Sequence, residues 1–444
     1  MKNFADFGIQ LPEILLPADK NLLSWSVIAC DQYTQDRDYW KKVSDAAGKN
    51  PSTLNLILPE VYLNDNDRKE RLENIRKTMQ AYIENGVFDK AEKEFIYVER
   101  KTAYGRTRKG LVAAIDLEAY EWKPMSKSLI RATEATIQSR IPPRKEIRKN
   151  APLESPHIML LANDPGRLLV EKTGTLAKKN SPVYDGDLML DSGHITGWEV
   201  KSDEALSSVY NSLDALKKSN TAEDGSTFLF AVGDGNHSLA TAKAVWDEYK
   251  EELKSQGKSE SEIENCPVRY ALVEIVNIYD EGLTFEPIHR VLFNADADET
   301  ISYVQKKLGG TVKPLSNAGE LEEAVKKSSA SFGFVSTANG KNCFTLLETP
   351  VKELAVSRLQ PELDSFIAEK KSAGKEIEID YIHGSEEVFR LGAQDNTLTI
   401  LLPPIAKNSF FDTISSRGPL PRKSFSMGEA SEKRFYLECR RLFS

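Results

Sequence analysis

The chain has 444 residues, 40% of them hydrophobic and 28% charged, with a formal net charge of -8. This length exceeds what one hydrophobic core normally supports, so two or three packed units are expected. The acidic balance argues against nucleic acid and anionic membrane as partners, since both require a basic face, and no stretch approaches the ~18 apolar residues of a membrane span.

The start, Met1 to Asp6, lacks the apolar stretch of a secretory signal. Cys30, Cys266, Cys343 and Cys439 are scattered with no CxxC pair, which fits reduced thiols. A soluble cytoplasmic protein is expected. Ile9 to Leu16 and Trp25 to Ala29 read as short buried strands and Arg37 to Ala47 as a helix. Over Asp67 to Glu84, Leu72, Ile75, Met79, Tyr82 and Ile83 recur at helical spacing. Glu94 to Arg100 and Gly110 to Asp116 then read as a hairpin. Pro142-Pro143 opens a basic helical turn, Arg144 to Lys149. His157 to Ala162 is strand-like, 183–199 alternates turns and short strands, and Asp203 to Lys218 is helical.

Next, Thr227 to Val232 is a continuous apolar run, Gly233 to Ser238 reads as a turn, and Leu239 to Lys254 is an amphipathic helix with Leu239, Ala242, Val245 and Trp246 on one face. After the polar stretch 257–265 comes an apolar strand, Tyr270 to Ile278. Beyond Asn294 the texture changes to Lys/Glu-rich helices separated by polar strands. Gly418 to Ser424 is a stiff basic loop before a last strand, Arg434 to Cys439. The expected organisation is α/β, as an N-terminal unit over 1–125, a phosphate- or nucleotide-binding core over 126–294, and a C-terminal α/β unit with the basic Pro-rich loop over 295–444.

The strand-turn-helix at Gly233 carries the strongest chemical signal. The first N–H groups of a helix have no intrahelical acceptor, and the helix dipole adds partial positive charge there. Gly233 and Gly235 let backbone approach a ligand closely. His237 can donate to phosphate, Asn236 and Ser238 add neutral donors, and Asp234 can hold Mg²⁺. The competing reading is an ordinary connection in which Asp234 or Asn236 caps the helix. Gly-x-Ser-x-Gly, His-Glu-x-x-His and a Walker A lysine are all absent. Cys30 reads as a small buried thiol.

Four segments, in order, resemble signatures of the family of domains of unknown function 1015. Thr133-Glu134-Ala135-Thr136 resembles its His-Glu-x-Thr, and Asp234-Gly235-Asn236-His237-Ser238 its Asp-Gly-His-His-Arg. Pro287-Ile288-His289-Arg290 resembles its Pro-Thr-His-Arg, and Pro421-Arg422-Lys423-Ser424 its Pro-x-Lys-Ser. The glycine turn is also similar to the nucleotide site of the ParB/sulfiredoxin-like superfamily, which includes free-serine kinases. That resemblance implies a ParB/sulfiredoxin-like core with additional mixed-sheet and C-terminal α/β units. It implies Glu134 as base, Asp234 and His237 as further catalytic groups, and Gly233, Gly235, Asn236 and Ser238 as the phosphate cradle. His289, Arg290 and Lys423 join the nucleotide-binding set.

This chain departs from the pattern where Ser238 replaces the motif arginine, which removes a bidentate phosphate clamp. Arg131, Arg140, Arg144, Arg148 and Arg290 are the candidates to replace it, and Arg144 is placed with the binding residues. The function implied is a Mg²⁺-dependent kinase or phosphotransferase that uses ATP or ADP on the hydroxyl of free serine or a similar metabolite. A nucleotide-binding switch without kinase activity and an enzyme acting on a phosphorylated small molecule are the alternatives. The implied partners are a nucleotide and a small-molecule substrate.

Overall fold

The computed structural model describes residues 3–443, which form two compact units. The first comprises residues up to Leu283 together with the segment from Glu429 onward, and the second is Thr284–Gly428. The fold is mixed α/β. Among the described residues no helix is long and apolar enough to cross a membrane.

A ten-stranded sheet organises the first unit. Its strands are β1 (Ile9–Gln10), β2 (Phe95–Thr102), β3 (Thr107–Asp116), β4 (Tyr120–Glu121), β5 (Ile130–Ala132), β6 (Met159–Ala162), β7 (Tyr184–Asp187), β8 (Gly193–Val200), β9 (Phe230–Asp234) and β10 (Tyr270–Asn277). Their order is β7-β8-β2-β3-β10-β6-β9-β5-β4, with β1 paired to β3. Pairing is antiparallel except at β4–β5, β5–β9 and β6–β10, which are parallel. Five helices matter here: α1 (Arg37–Ala47), α2 (Arg68–Glu84), α3 (Ile141–Arg148), α4 (Asp203–Ser219) and α5 (Asn236–Ser255).

The central strands are buried along almost their whole length. Leu111 to Ile115 of β3 and Ala271 to Asn277 of β10 are all inaccessible. Burial on both faces explains why these strands read as continuous apolar runs rather than as alternation. Helix α5 buries Leu239, Ala242, Val245 and Trp246 against this core, and α3 packs against α5.

Several boundaries differ from the sequence reading. Ile9 to Leu16 does not form one strand. Leu11-Pro12 separates Ile9–Gln10 from Glu13–Ile14, because proline has no N–H for a ladder. Trp25 closes a helical turn, Leu22–Trp25, before the short strand Val27–Ile28. Residues 1–125 and 126–294 are expected as separate units, whereas the first unit runs through to Leu283 and its ten-stranded sheet pairs β4 with β5 across that division.

The second unit holds a six-stranded antiparallel sheet. Its strands are β11 (His289–Phe293), β12 (Thr311–Leu315), β13 (Ser331–Ala338), β14 (Lys341–Glu348), β15 (Glu378–Ile382) and β16 (Thr397–Leu401), in the order β12-β14-β13-β16-β11-β15. Helix α6 (Ala355–Ser372) buries Leu359, Leu363 and Phe366. From Glu429 the chain belongs to the first unit again, where Phe435–Tyr436 pairs with Val27–Ile28 and Arg440–Arg441 with Leu153–Glu154.

Candidate functional site

The turn after β9 is tighter than its sequence suggests. Gly233 and Asp234 remain in the strand, where Asp234 pairs with Met159 of β6. Asn236, His237 and Ser238 already form the first turn of α5. The reversal therefore falls on Gly235 alone, at a φ of 79°. A Cβ there would meet Ile158 Cγ1 at 3.0 Å, so both conformation and space call for glycine. With Gly235 as the residue before the helix, the N–H groups of its first turn lie at the carboxyl end of β9.

Parallel pairing of β5 with β9 brings their carboxyl ends side by side. Ligand crevices of open α/β sheets lie outside such ends. The loop after β5 is tied to the start of α5 at two points. Asn236 Oδ1 accepts from the Thr133 N–H at 3.1 Å, and Asn236 Nδ2 donates to Thr133 Oγ1 at 3.2 Å. Farther along, the Ile137 N–H donates to His237 Nε2 at 3.3 Å. Glu134, half-buried, lies in the three-residue span held between these ties. The sequence-predicted Glu134 and the glycine turn are thus brought to one place.

The individual roles differ from those expected. Asn236 is buried and turned inward as a latch on Thr133, not outward as a donor to a ligand. His237 accepts at Nε2, which leaves Nδ1 to carry the proton of the neutral ring. Asp234 Oδ1 accepts from the Gly235 N–H at 2.9 Å, and its Oδ2 lies 3.4 Å from Lys433 Nζ. Ser238 Oγ is 2.8 Å from His157 Nε2, and His157 Nδ1 is 2.9 Å from the Tyr436 hydroxyl. Arg144 forms an ion pair with Glu60, and Arg144 and Ser238 line one cavity.

Mg²⁺ requires oxygen ligands, normally one or two carboxylates completed by phosphate and water. Asp234 offers one carboxylate that already faces an ammonium group. Among the described residues no group of three His, Cys, Asp or Glu side chains is arranged to hold a metal ion. Asp234 would therefore contribute a single ligand, with the others drawn from nucleotide and solvent.

His289, Arg290 and Lys423 belong to the second unit. His289 is buried in β11, where its Nδ1 accepts from the Leu402 N–H at 3.0 Å, and burial followed by the nearby Arg290 charge lowers its pKa to about 4. Arg290 is fully buried. Its Nε donates to Gln360 at 2.6 Å, and its Nη1 donates to the carbonyls of Ile288 at 2.7 Å and Lys423 at 3.0 Å. The two C-terminal signatures therefore meet through Arg290, which holds the loop on which the Lys423 side chain is exposed.

His157 and Lys433 were not singled out by the sequence. His157 lies just before β6, directly after Pro156. Lys433 stands in the segment that rejoins the first unit, and no local pattern announces that return. Cys30 lines the same cavity as Ser238, and burial, then Asp31, pushes its thiol well above the ordinary range.

A family model described as a protein of unknown function, DUF1015, matches residues 12–366. The chain belongs to the DUF1015 family. No curated protein matches this DUF1015 member. Solved structures similar to it include a free serine kinase in complex with AMP, 12% identical, covering 73% of this chain and 90% of that chain at a TM-score of 0.35. A variant of free serine kinase in complex with ADP is 11% identical, covering 73% and 91% at a TM-score of 0.36. SbnI with a C-terminal truncation, from Staphylococcus aureus, is 8% identical, covering 71% and 83% at a TM-score of 0.34.

Proposed function

We propose that this protein is a phosphotransferase that moves the terminal phosphoryl group of ATP or ADP to the hydroxyl of a small metabolite, free serine or a compound like it. The observation that carries this reading is the pair of ties, Thr133 to Asn236 and Ile137 to His237, which holds Glu134 beside the amino end of α5. Phosphoryl transfer needs positioning and charge neutralisation more than covalent chemistry. The backbone N–H groups and dipole of the 20-residue helix α5 favour phosphate, and Lys433 adds a positive charge next to Asp234.

Glu134 takes the proton of the acceptor hydroxyl. The hydroxyl oxygen forms the new bond to phosphorus as the bond from phosphorus to the bridging oxygen breaks, and the shortened nucleotide leaves with that electron pair. Mg²⁺, held by Asp234 and the phosphates, would supply further neutralisation of the phosphate charge.

Glu134→Gln keeps the shape and removes the base, so phosphoryl transfer should fall about 10²–10⁴-fold while nucleotide affinity changes little. Asp234→Ala and His237→Ala should weaken nucleotide binding and leave the fold intact. Turnover is read by product formation with each nucleotide and free amino acids, and binding by calorimetry. Unchanged transfer by Glu134→Gln would remove Glu134 as the base, and nucleotide binding by the parent protein with no transfer to any hydroxyl would replace this reading with a nucleotide-binding switch.

A further inference from the structure

The cavity beside the first turn of α5 has a volume of about 150 Å³. Leu56, Ile57, Met79, Leu153, Ile158 and Leu272 give it mainly aliphatic walls. An apolar cavity of this size in a protein core accommodates a benzene ring. The charged groups on its wall are already matched. Arg144 pairs with Glu60, and Arg148 Nη1 lies 2.6 Å from Glu154 Oε2. These two pairs give the wall no excess charge, and an ionised ligand group moved there would lose its hydration without a counter-ion.

Ser155 and Thr241 also line it, but their hydroxyls donate to the Glu438 and His237 carbonyls, each at 2.7 Å. A further polar feature is the Ser238–His157 pair, backed by the Tyr436 hydroxyl. Tyr436 itself accepts from the Cys30 N–H at 3.1 Å, which fixes the far end of this chain of hydrogen bonds. A serine hydroxyl both donates and accepts, and an imidazole nitrogen does either according to tautomer. The complement of such a pair is a group that also both donates and accepts, namely a hydroxyl. We infer that this cavity binds a small neutral hydroxy compound, a phenol or a cyclic or branched alcohol. Its apolar body has about six to eight heavy atoms, and its hydroxyl rests on Ser238 Oγ, which His157 holds in place. The inference uses only the cavity and the pair, and holds whether or not the glycine turn transfers phosphate.

Calorimetric titration of the full-length protein with phenol, benzene and benzoate tests it. Phenol should bind about 2- to 12-fold more tightly than benzene, the worth of one hydrogen bond, and benzoate should bind most weakly. Ser238→Ala should reduce phenol affinity to that of benzene, and its thermal melting is followed alongside. If that variant does not fold, the three ligands on the unmodified protein decide alone. Equal binding of phenol and benzene, a preference for benzoate, or no binding by phenol would each overturn the inference. A parallel titration with AMP separates the two sites: loss of the AMP response in Asp234→Ala with phenol binding retained reports on the turn and leaves the cavity standing.

Discussion

At the scale of single residues, the side chains that matter most are those whose partners lie far away in sequence. Asn236 could be picked out as polar and next to glycine, but its partner Thr133 could not. Its work turns out to be holding a loop rather than a ligand. Replacing Asn236 by alanine leaves the buried Thr133 N–H and Oγ1 without it, which should cost about 1–3 kcal/mol. The variant should also loosen the Glu134 segment, so catalytic turnover should fall more than nucleotide affinity. Denaturant unfolding and steady-state kinetics read the two effects separately. Glu94 makes a second case. It is almost fully buried, its Oε2 has no hydrogen-bond partner, and burial raises its pKa from 4.5 to about 7 against the pull of Lys201, with Glu199 and Glu92 adding to the rise. Because the folded state holds the proton more tightly, the stability linked to Glu94 is full below pH 4.5 and is lost as pH rises through about 7. Glu94→Gln removes that loss. Relative to the variant, the parent protein should weaken by about 1–2 kcal/mol between pH 5 and pH 9, after allowance for solvent screening. Parallel pH dependence of the two proteins would show that Glu94 does not titrate in this range.

At the scale of elements, the long, strongly patterned segments were legible. The hairpin from Glu94 to Asp116, the helical spacing over Asp67 to Glu84 and the apolar run from Tyr270 all correspond to observed elements, because burial imposes the pattern on the residues themselves. The ends were less legible. The strand β9 begins at Phe230 rather than Thr227, since Thr227 is occupied in a bridge with Thr221 and the Leu229 N–H goes to the Leu129 carbonyl. Pairing with other parts of the chain moved that boundary, and local sequence does not report such pairing. β10 shows the same limit in its chemistry. Glu274 stands fully buried in an otherwise apolar strand, with Arg108 Nε at 3.2 Å and Arg434 Nη1 at 2.6 Å, and Arg434 also pairs with Glu438. Burial works to raise the Glu274 carboxyl, but Arg108 and Arg434 outweigh it and hold the group below its ordinary value. Gly110 on the neighbouring strand leaves room for this side chain. Glu274→Ala should cost about 3–5 kcal/mol, because it leaves buried guanidinium groups uncompensated. Chemical unfolding followed by circular dichroism measures this, and a loss below about 1 kcal/mol would mean that the cluster contributes nothing beyond its packing.

At the scale of the whole molecule, composition predicted more than one unit but not how the chain divides between them. The change in texture after Asn294 reflects Lys/Glu-rich helices, whereas the junction at Leu283–Thr284 lies in a loop with no compositional mark. The return of the chain at Glu429 is invisible locally, because it depends on strand partners at Val27–Ile28 and Leu153–Glu154 and on charged partners at Arg108 and Glu274. Two different consequences follow for pieces of the protein. Residues 284–428 carry a complete antiparallel sheet and their own buried side chains, including Phe332, Phe334, Leu398 and Ile400 with Leu359, Leu363 and Phe366 of α6. They should therefore unfold cooperatively when expressed alone, as a domain of ordinary size with its own core does. A chain ending at Gly428 is not equivalent, since it keeps Arg108 and Glu274 but loses Arg434, Phe435 and Tyr436. In that chain the transition belonging to the first unit should vanish while the transition of residues 284–428 persists. Calorimetric scans of the full protein, the excised 284–428 and the shortened chain distinguish these outcomes. A gradual, non-cooperative melt for 284–428 would mean that its sheet depends on the rest of the chain. A first-unit transition that survives in the shortened chain would mean that the buried Glu274 cluster and the returning strands do not decide whether that unit folds.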